Sequence, residues 1–504
     1  MTAPPDCVVA VDIGTQSTRA ALVTADGFLL DCATSPVGLT TPKPGWAEQD
    51  PRLWWSTTVA NIAAVLARNP GVTVRAIGVG AQMHSVVPVT AGGEPLTARV
   101  GLWNDKRPSA QLAQFLARSD AAMLSATAGN APLPAWAGFK IAWFRDELPE
   151  VYAQAAAFVV PKDFINMRLS GELATDPSEA SGTFLTDAAT GRWSAALLDA
   201  LNVDAALLPP VRDSAEVIGG VLPAVAAQTG LPAGTPVVAG GGDMLCQLLA
   251  AGVTGPGRLA EVAGTASIVA SYAAAAHPDP RVMSLRTVSG GWVNFGIGDA
   301  AGTCLHWLAD HIHGAAGELA QRYEAMTAAA AKIPPGSDGL LFFPYLLGER
   351  TLGSERSRGS FIGLTLEHSR DHLTRAVMEG ICFENQRALD LIAADDPGAV
   401  IRCTGGGARS TLWNQIRADI YQRPVSVLAA REGGILGAAM LAGTAAGWYR
   451  SPAEAADQLT ALGPTWQPEQ AAIARYRAAY ATFCAVHDRL APSWDGWCAG
   501  TAQP

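Results

Sequence analysis

Positive charge is not in surplus in this 504-residue chain: 35 Lys and Arg stand against 45 Asp and Glu, a net charge of -10. Nucleic acids and anionic membranes are bound through a basic field, so neither is an expected partner. Cysteine is sparse and scattered (Cys7, Cys32, Cys246, Cys304, Cys382, Cys403, Cys484, Cys498), with no CxxC pair. A zinc site and a disulfide framework are therefore not indicated, and free thiols in a reducing cytoplasm fit best. The opening MTAPPD lacks the basic and apolar regions of a signal peptide, and the charge-free stretches are Gly- and Ala-rich rather than membrane-spanning. No GxxxxGK[ST] loop occurs, which excludes the P-loop kinases. GIGDAAG (Gly296 to Gly302) has the spacing GxGxxxG and no acidic residue at the distance a dinucleotide site needs.

What the chain does have is length and apolar material. Hydrophobic residues make up 49% and charged residues 16%, enough for two large α/β domains with a cleft between them. VVAVDIGTQSTRAALVTADGFLL reads as strand, glycine turn, strand, Asp26-Gly27 turn, strand. The apolar spacing predicts helices over 51–68, 109–118, 140–147 and 162–169, and a strand in AIGVGAQMHSVVPV. After VVAGGGDMLCQLLAAG the same events recur: GRLAEVAGTASIVASY again gives strand, small turn, strand. The halves read as repeats of one fold, divided at 245/246.

Three glycine turns could hold a polyphosphate. Asp12-Ile13-Gly14-Thr15-Gln16-Ser17-Thr18-Arg19 offers an acidic residue for magnesium or its waters, hydroxyls, an Arg, and backbone amides that glycine brings close through its tolerance of positive φ. The competing reading is a plain hairpin with a buried capping Asp12. Gly264-Thr265-Ala266-Ser267 would be the second phosphate hairpin, and Gly405-Gly406-Gly407-Ala408-Arg409-Ser410, after the short strand AVIRCT, would open a helix beside a base. Asp243, where an apolar strand runs into three glycines, is placed to project into a cleft, although it could equally cap the helix that starts at Met244.

Together these motifs resemble the FGGY family of carbohydrate kinases. PGWAEQDPRLWW (Pro44 to Trp55), AQMH (Ala81 to His84), LWNDKR (Leu102 to Arg107), GGGD (Gly240 to Asp243), FFPYLLGERT (Phe342 to Thr351) and EGGILGAAMLAG (Glu432 to Gly443) share in it, and Gly359 to Glu379 satisfies the family's C-terminal signature. The resemblance covers nearly the whole chain. It implies two ribonuclease-H-like domains of the actin/hexokinase/Hsp70 type flanking a central cleft, ATP and Mg2+ as cofactors, and transfer of the γ-phosphoryl group to a primary hydroxyl of a small sugar. Asp243 would be the catalytic base, with Met83, His84, Trp103, Asn104 and Asp105 lining the sugar pocket. Asp12, Gly14, Thr15, Gln16, Arg19, Gly264, Thr265, Gly302, Gly406, Gly407 and Ala408 would serve ATP, Asp12 holding the metal through water.

Within the family the motifs are most similar to the xylulokinase branch, which makes D-xylulose the first expected substrate, with another ketopentose, a pentitol or gluconate behind it. Two positions depart from that branch: Met244 stands where it has Asn, and Ser85 where it has Gly. The N-terminal signature is also imperfect, since Ala137 precedes Lys140 where Pro, Ser or Thr belongs. A nucleotide switch without sugar chemistry is the reading from another class, and a homodimer is an open expectation.

Overall fold

The computed structural model describes residues 5–499 apart from 315–316, 350–355, 395, 397 and 430–431. Arg350 and Thr351 of the GERT motif lie outside the described residues. In the first half, β1 (Asp6–Ile13), β2 (Ser17–Thr24) and β3 (Leu29–Pro36) form the expected antiparallel meander. β4 (Thr73–Ala81) then joins β1 in parallel, and β5 (Val217–Gly220) and β6 (Pro236–Val238) complete the order β3-β2-β1-β4-β6-β5. β1 is buried along almost its whole length because it pairs on both edges and is covered on both faces, which is why its sequence is a continuous apolar run.

The second half repeats this plan. β7 (Leu259–Ala263), β8 (Ser267–Ala273), β9 (Met283–Arg286), β10 (Trp292–Gly298), β11 (Ile401–Thr404), β12 (Val425–Leu428) and β13 (Leu462–Trp466) form a sheet in the order β9-β10-β8-β7-β11-β12-β13. The β7–β8 hairpin corresponds to β1–β2, and β11, parallel to β7, corresponds to β4. Each half thus brings one glycine turn to the end of its first strand.

Nine helices matter to the site: α1 (Pro51–Arg68), α2 (Ala137–Glu147), α3 (Pro161–Ser170), α4 (Pro177–Ser181), α5 (Asp243–Ala250), α6 (Ala301–His311), α7 (Arg370–Ile392), α8 (Thr411–Tyr421) and α9 (Gly433–Ala445). α2 starts three residues before the sequence expectation, because Ala137 and Gly138 are buried against the chain at Thr183, whose carbonyl accepts from Gly138 N–H at 2.8 Å.

α5 and α9 lie in the middle of the molecule. α9 comes from the C-terminal half, yet Ile435, Ala438, Ala439 and Ala442 pack on Val8, Ala10 and Ala21 of the first sheet. Its glycines allow this approach: a Cβ at Gly437 would stand 2.1 Å from the Cys246 carbonyl of α5, and one at Gly78 of β4 would stand 2.2 Å from the Ala438 carbonyl. EGGILGAAMLAG is thus first a packing motif. The same holds for the C-terminal signature, where a Cβ at Gly380 would meet the Phe342 carbonyl at 2.1 Å and buried Glu379 accepts from Arg375, Ser337 and Tyr476.

Among the described residues no helix is long and apolar enough to cross a membrane. The seven cysteines whose side chains are described are free thiols.

Candidate active site

The GGGD turn is built by three close approaches. Gly240 has φ +77°, and a Cβ there would lie 2.2 Å from the Val79 carbonyl of β4; at Gly241 it would meet Val288 at 2.4 Å, and at Gly242 the Met83 sulfur at 2.6 Å. Gly242 N–H donates to Ser178 Oγ of α4 at 3.0 Å. Gly240 tolerates no side chain against that backbone carbonyl, while at Gly242 only the flexible Met83 side chain would have to give way; the packing of this turn sets Asp243 as the first residue of α5, its Oδ1 accepting from Met244 N–H at 2.7 Å. Burial, reinforced by the negative charge of Asp12, pushes the Asp243 carboxyl up to about 7, with the backbone amides of Met244 and Asp243 pulling the other way.

Asp12 closes the other side. It stands next to last in β1, across from Arg19 in the hairpin and Gly80 in β4. Burial lifts its carboxyl to about 6, Arg19 opposes the shift and Glu432 adds to it. A Cβ at Gly434, in the first turn of α9, would come within 3.1 Å of this carboxylate. Arg19 is ion-paired with Glu432, so the first turn is tied to the start of α9.

Beside the GGGD turn, Met83 is buried against Gly242, and His84 follows in the left-handed region with φ +66°. The His84 ring is held by Nδ1 donating to the Gly182 carbonyl at 3.0 Å and lies edge-to-face with Trp136, centroids 5.0 Å apart. Trp103 does not stand apart from the first turn: its Nε1–H donates to Thr15 Oγ1 at 3.2 Å, and that hydroxyl donates to Gln82 Oε1 at 3.3 Å. Gln82 in turn donates to Gln49 Oε1 at 2.8 Å, and Gln49 donates to the Thr15 carbonyl at 2.6 Å. Thr15 of the first glycine turn and Trp103 therefore share one hydrogen-bond network. Asp105 has a different task from the one expected: it is buried, and both oxygens are taken by Ala47 N–H and the Arg107 backbone and guanidinium at 2.7–3.0 Å. Asn104 is exposed, and Gln16 is exposed beside the first turn.

Several contributors escape sequence reasoning. Gln49 and Gln82 lie within PGWAEQDP and AQMH, but their near-complete burial is not legible there, since Gln49 stands between Glu48 and Asp50. Gly182, where a Cβ would lie 2.8 Å from His84 Cε1, admits the imidazole and carries no local signature. Glu179 of α4 is 1% exposed, and neither carboxyl oxygen has a hydrogen-bond partner among the described residues. Burial raises it well above the ordinary range, Lys162 opposes this, and Asp176, Asp163 and Asp243 add to it.

Across the molecule, Gly264, Thr265, Gly302, Gly406 and Gly407 line one cavity of about 1480 Å³. Ala408 does not line it; its methyl is buried beneath. The GGGARS segment runs as a 3-10 turn, Gly406–Arg409, and its last residue, Ser410, caps α8, which begins at Thr411. Arg417 of α8 reaches back to the Gly407 carbonyl at 3.2 Å and to Glu261 of β7 at 2.8 Å, fastening this turn to the sheet. At Gly302 a Cβ would lie 2.4 Å from the Gly264 carbonyl, which seats α6 on the hairpin.

The expectation of positive φ at Gly14 and Gly264 is corrected: neither lies in the left-handed region. A Cβ at either would meet only one carbonyl, at 3.5 and 3.6 Å, and at Gly406 nothing within 4 Å. Neither backbone strain nor packing demands glycine at these three positions, whereas the neighbouring Gly405 has φ +90° and a Cβ there would lie 2.5 Å from the Ala263 carbonyl. What remains is open space of the kind a phosphate needs against backbone amides, so these residues fit a nucleotide. Among the described residues no group of three or more His, Cys, Asp or Glu forms a metal cluster. The two acidic groups Asp12 and Asp243 instead fit a hard divalent cation that keeps waters and phosphate oxygens as its other ligands.

Residues 7–250 match the N-terminal domain of the FGGY family of carbohydrate kinases, and residues 259–446 match its C-terminal domain. The chain belongs to the FGGY family of carbohydrate kinases. Xylulose kinase of Bacillus subtilis (strain 168) is 30% identical over 480 residues, covering 94% of this chain and 95% of the relative. Gluconokinase of the same organism is 29% identical over 444 residues, 86% of each. Among solved structures, xylulose kinase from Rhodospirillum rubrum superposes with a TM-score of 0.90 at 32% identity, covering 97% of this chain and 100% of that one. Gluconate kinase from Lactobacillus acidophilus does so with a TM-score of 0.91 at 25% identity, covering 98% and 99%. The fold of this FGGY kinase is therefore the actin/hexokinase type, and its activity is phosphoryl transfer from ATP to an alcohol group.

Proposed function

We propose that this FGGY kinase phosphorylates the primary hydroxyl of a small ketose, D-xylulose first, at a site where Asp243 is the base. The observation that carries the reading is the placement of Asp243. It is held by three glycines beside Met83, faces the Asp12 carboxylate, and has its carboxyl pushed up to about 7. A carboxylate so raised is a stronger proton acceptor than an ordinary Asp and still ionises near neutrality. It orients the sugar hydroxyl in line with the γ-phosphoryl group and takes its proton as the P–O bond forms.

Met83 and His84 form the sugar wall with Trp103; Asp105 supports that wall from behind, and Asn104 lies at its exposed edge. On the ATP side, the amides and hydroxyls of Gly14, Thr15 and Gln16 and of Gly264 and Thr265 face the phosphates, with Arg19 balancing charge. Gly302, Gly406, Gly407 and Ala408 shape the nucleotide cavity. Mg2+ held by Asp12 through water supplies charge neutralisation at the transferred group. The N-terminal domain, 1–245, carries the sugar and the first phosphate turn; 246–504 carries the nucleotide, lending α9 to the first sheet. The cytoplasm is the proposed location.

Gluconate, another ketopentose or a pentitol is the second reading, favoured by one observation. Met244 follows the base with a side chain that packs on apolar core and offers no amide to a sugar hydroxyl. Ser85 is fully buried with its Oγ unpartnered among the described residues, and by itself favours neither substrate. A coupled ADP-release screen over pentuloses, pentitols and sugar acids decides between them: turnover with D-xylulose well above the others supports the first reading, and preference for gluconate overturns it.

A further inference from the structure

Lys140 has no part in the chemistry above, yet it is 3% exposed. A buried ammonium is costly unless its hydrogens are used. Its Nζ donates to the His84 carbonyl at 2.8 Å and to the Ala135 carbonyl at 2.7 Å. The acceptors are peptide carbonyls and not a carboxylate, so the charge is spent on holding backbone rather than on an ion pair.

The backbone it holds is strained. His84, a residue with a Cβ, sits at φ +66°, a conformation disfavoured outside glycine. Such a conformation persists only when surrounding contacts fix it. Three do so here: Lys140 on the carbonyl, Gly182 on Nδ1, and Trp136 against the ring face. The Nδ1 bond requires a proton on that nitrogen and so selects the orientation and tautomer of the imidazole. Burial lowers the Lys140 ammonium to about 7, Asp105 opposing the shift and Arg107 adding to it, and the Arg107 guanidinium lies over the rings of Trp46 and Trp143.

We propose that Lys140 is a positioning residue for the acceptor sugar: it clamps the His84 carbonyl and thereby holds His84 in the left-handed turn that presents its imidazole to the pocket. This rests on the reading that His84 lines the sugar pocket. It accounts for a lysine on the buried face of α2, where packing alone calls for an apolar residue.

A double-mutant cycle tests it, read as KM for the sugar against kcat and KM for ATP. Lys140→Met raises the sugar KM about tenfold or more, the scale of one lost charge-assisted hydrogen bond, and leaves the KM for ATP unchanged. In a His84→Gly background, where the turn is relaxed and the imidazole gone, Lys140→Met has no further effect on the sugar KM. Equal fold-changes in the two backgrounds, or a wild-type sugar KM in Lys140→Met, overturn the clamp. A wild-type sugar KM in His84→Gly overturns the pocket reading and the clamp with it, so the two failures are distinguishable. Should Lys140→Met fail to fold, Lys140→Leu, which likewise removes the donors, enters the same cycle and is judged by the same outcomes.

Discussion

At the scale of single residues, the proposed base is costly to stability. Asp243 ionises in the folded chain at about 7 against an ordinary 3.8. The folded state therefore holds this proton more tightly than the unfolded state does, and stability falls as pH rises from about 4 to about 7. Asp243→Asn removes the buried charge. Without nucleotide or metal, its melting temperature at pH 8 is expected to exceed that of the wild type by a few degrees, a margin that disappears below pH 4. The same variant should lose phosphoryl transfer by at least about 10²-fold while calorimetry still detects ATP binding; an active Asp243→Asn would remove the base assignment. Gly242→Ala makes a different point. Its Cβ would strike Met83, a flexible side chain, at 2.6 Å, so the expected result is a raised sugar KM with little change in the KM for ATP.

Secondary-structure elements meet in this protein through backbone contacts that only glycine permits. α9 touches β4 at Gly78 and α5 at Gly437, each so closely that a methyl would stand about 2 Å from a carbonyl oxygen. Gly437→Ala must push α9 off α5, the helix that carries Asp243, and should cost about 1–3 kcal/mol in urea denaturation together with a fall in kcat. In the second half, Arg417 and Glu261 form a fully buried pair at 2.8 Å, with Tyr421 on the second oxygen at 2.9 Å. Glu261→Gln leaves a buried guanidinium without its counter-charge, and a loss of about 3–5 kcal/mol is expected. Unchanged stability would mean that the GGGA turn is fastened by something else.

For the whole molecule, the two sheets share one plan, and α5 and α9 lie between them. The proposed sugar wall belongs to the first sheet and the nucleotide cavity to the second. Transfer between substrates held on different sheets requires the two to close, which also excludes water from the phosphoryl group. Small-angle scattering is expected to show a smaller radius of gyration with sugar bound than without; superimposable profiles would count against closure.

The sequence by itself determined the strand-turn-strand repeats, α1 to the residue, and family membership, because these rest on local periodicity and on motif order. It also singled out Asp243 and the five glycine-turn residues that meet on one cavity. It could not determine that Thr15 and Trp103, 88 positions apart, share a hydrogen bond, nor that Asp105 is used up by Arg107. Nor could it show that Lys140 reaches the carbonyl of His84. Those facts depend on which chain segments cross, and such crossings are fixed by the packing of α4, α5 and α9 around the sheets. Tertiary structure alone decided which polar residues face the cleft and which hold its walls.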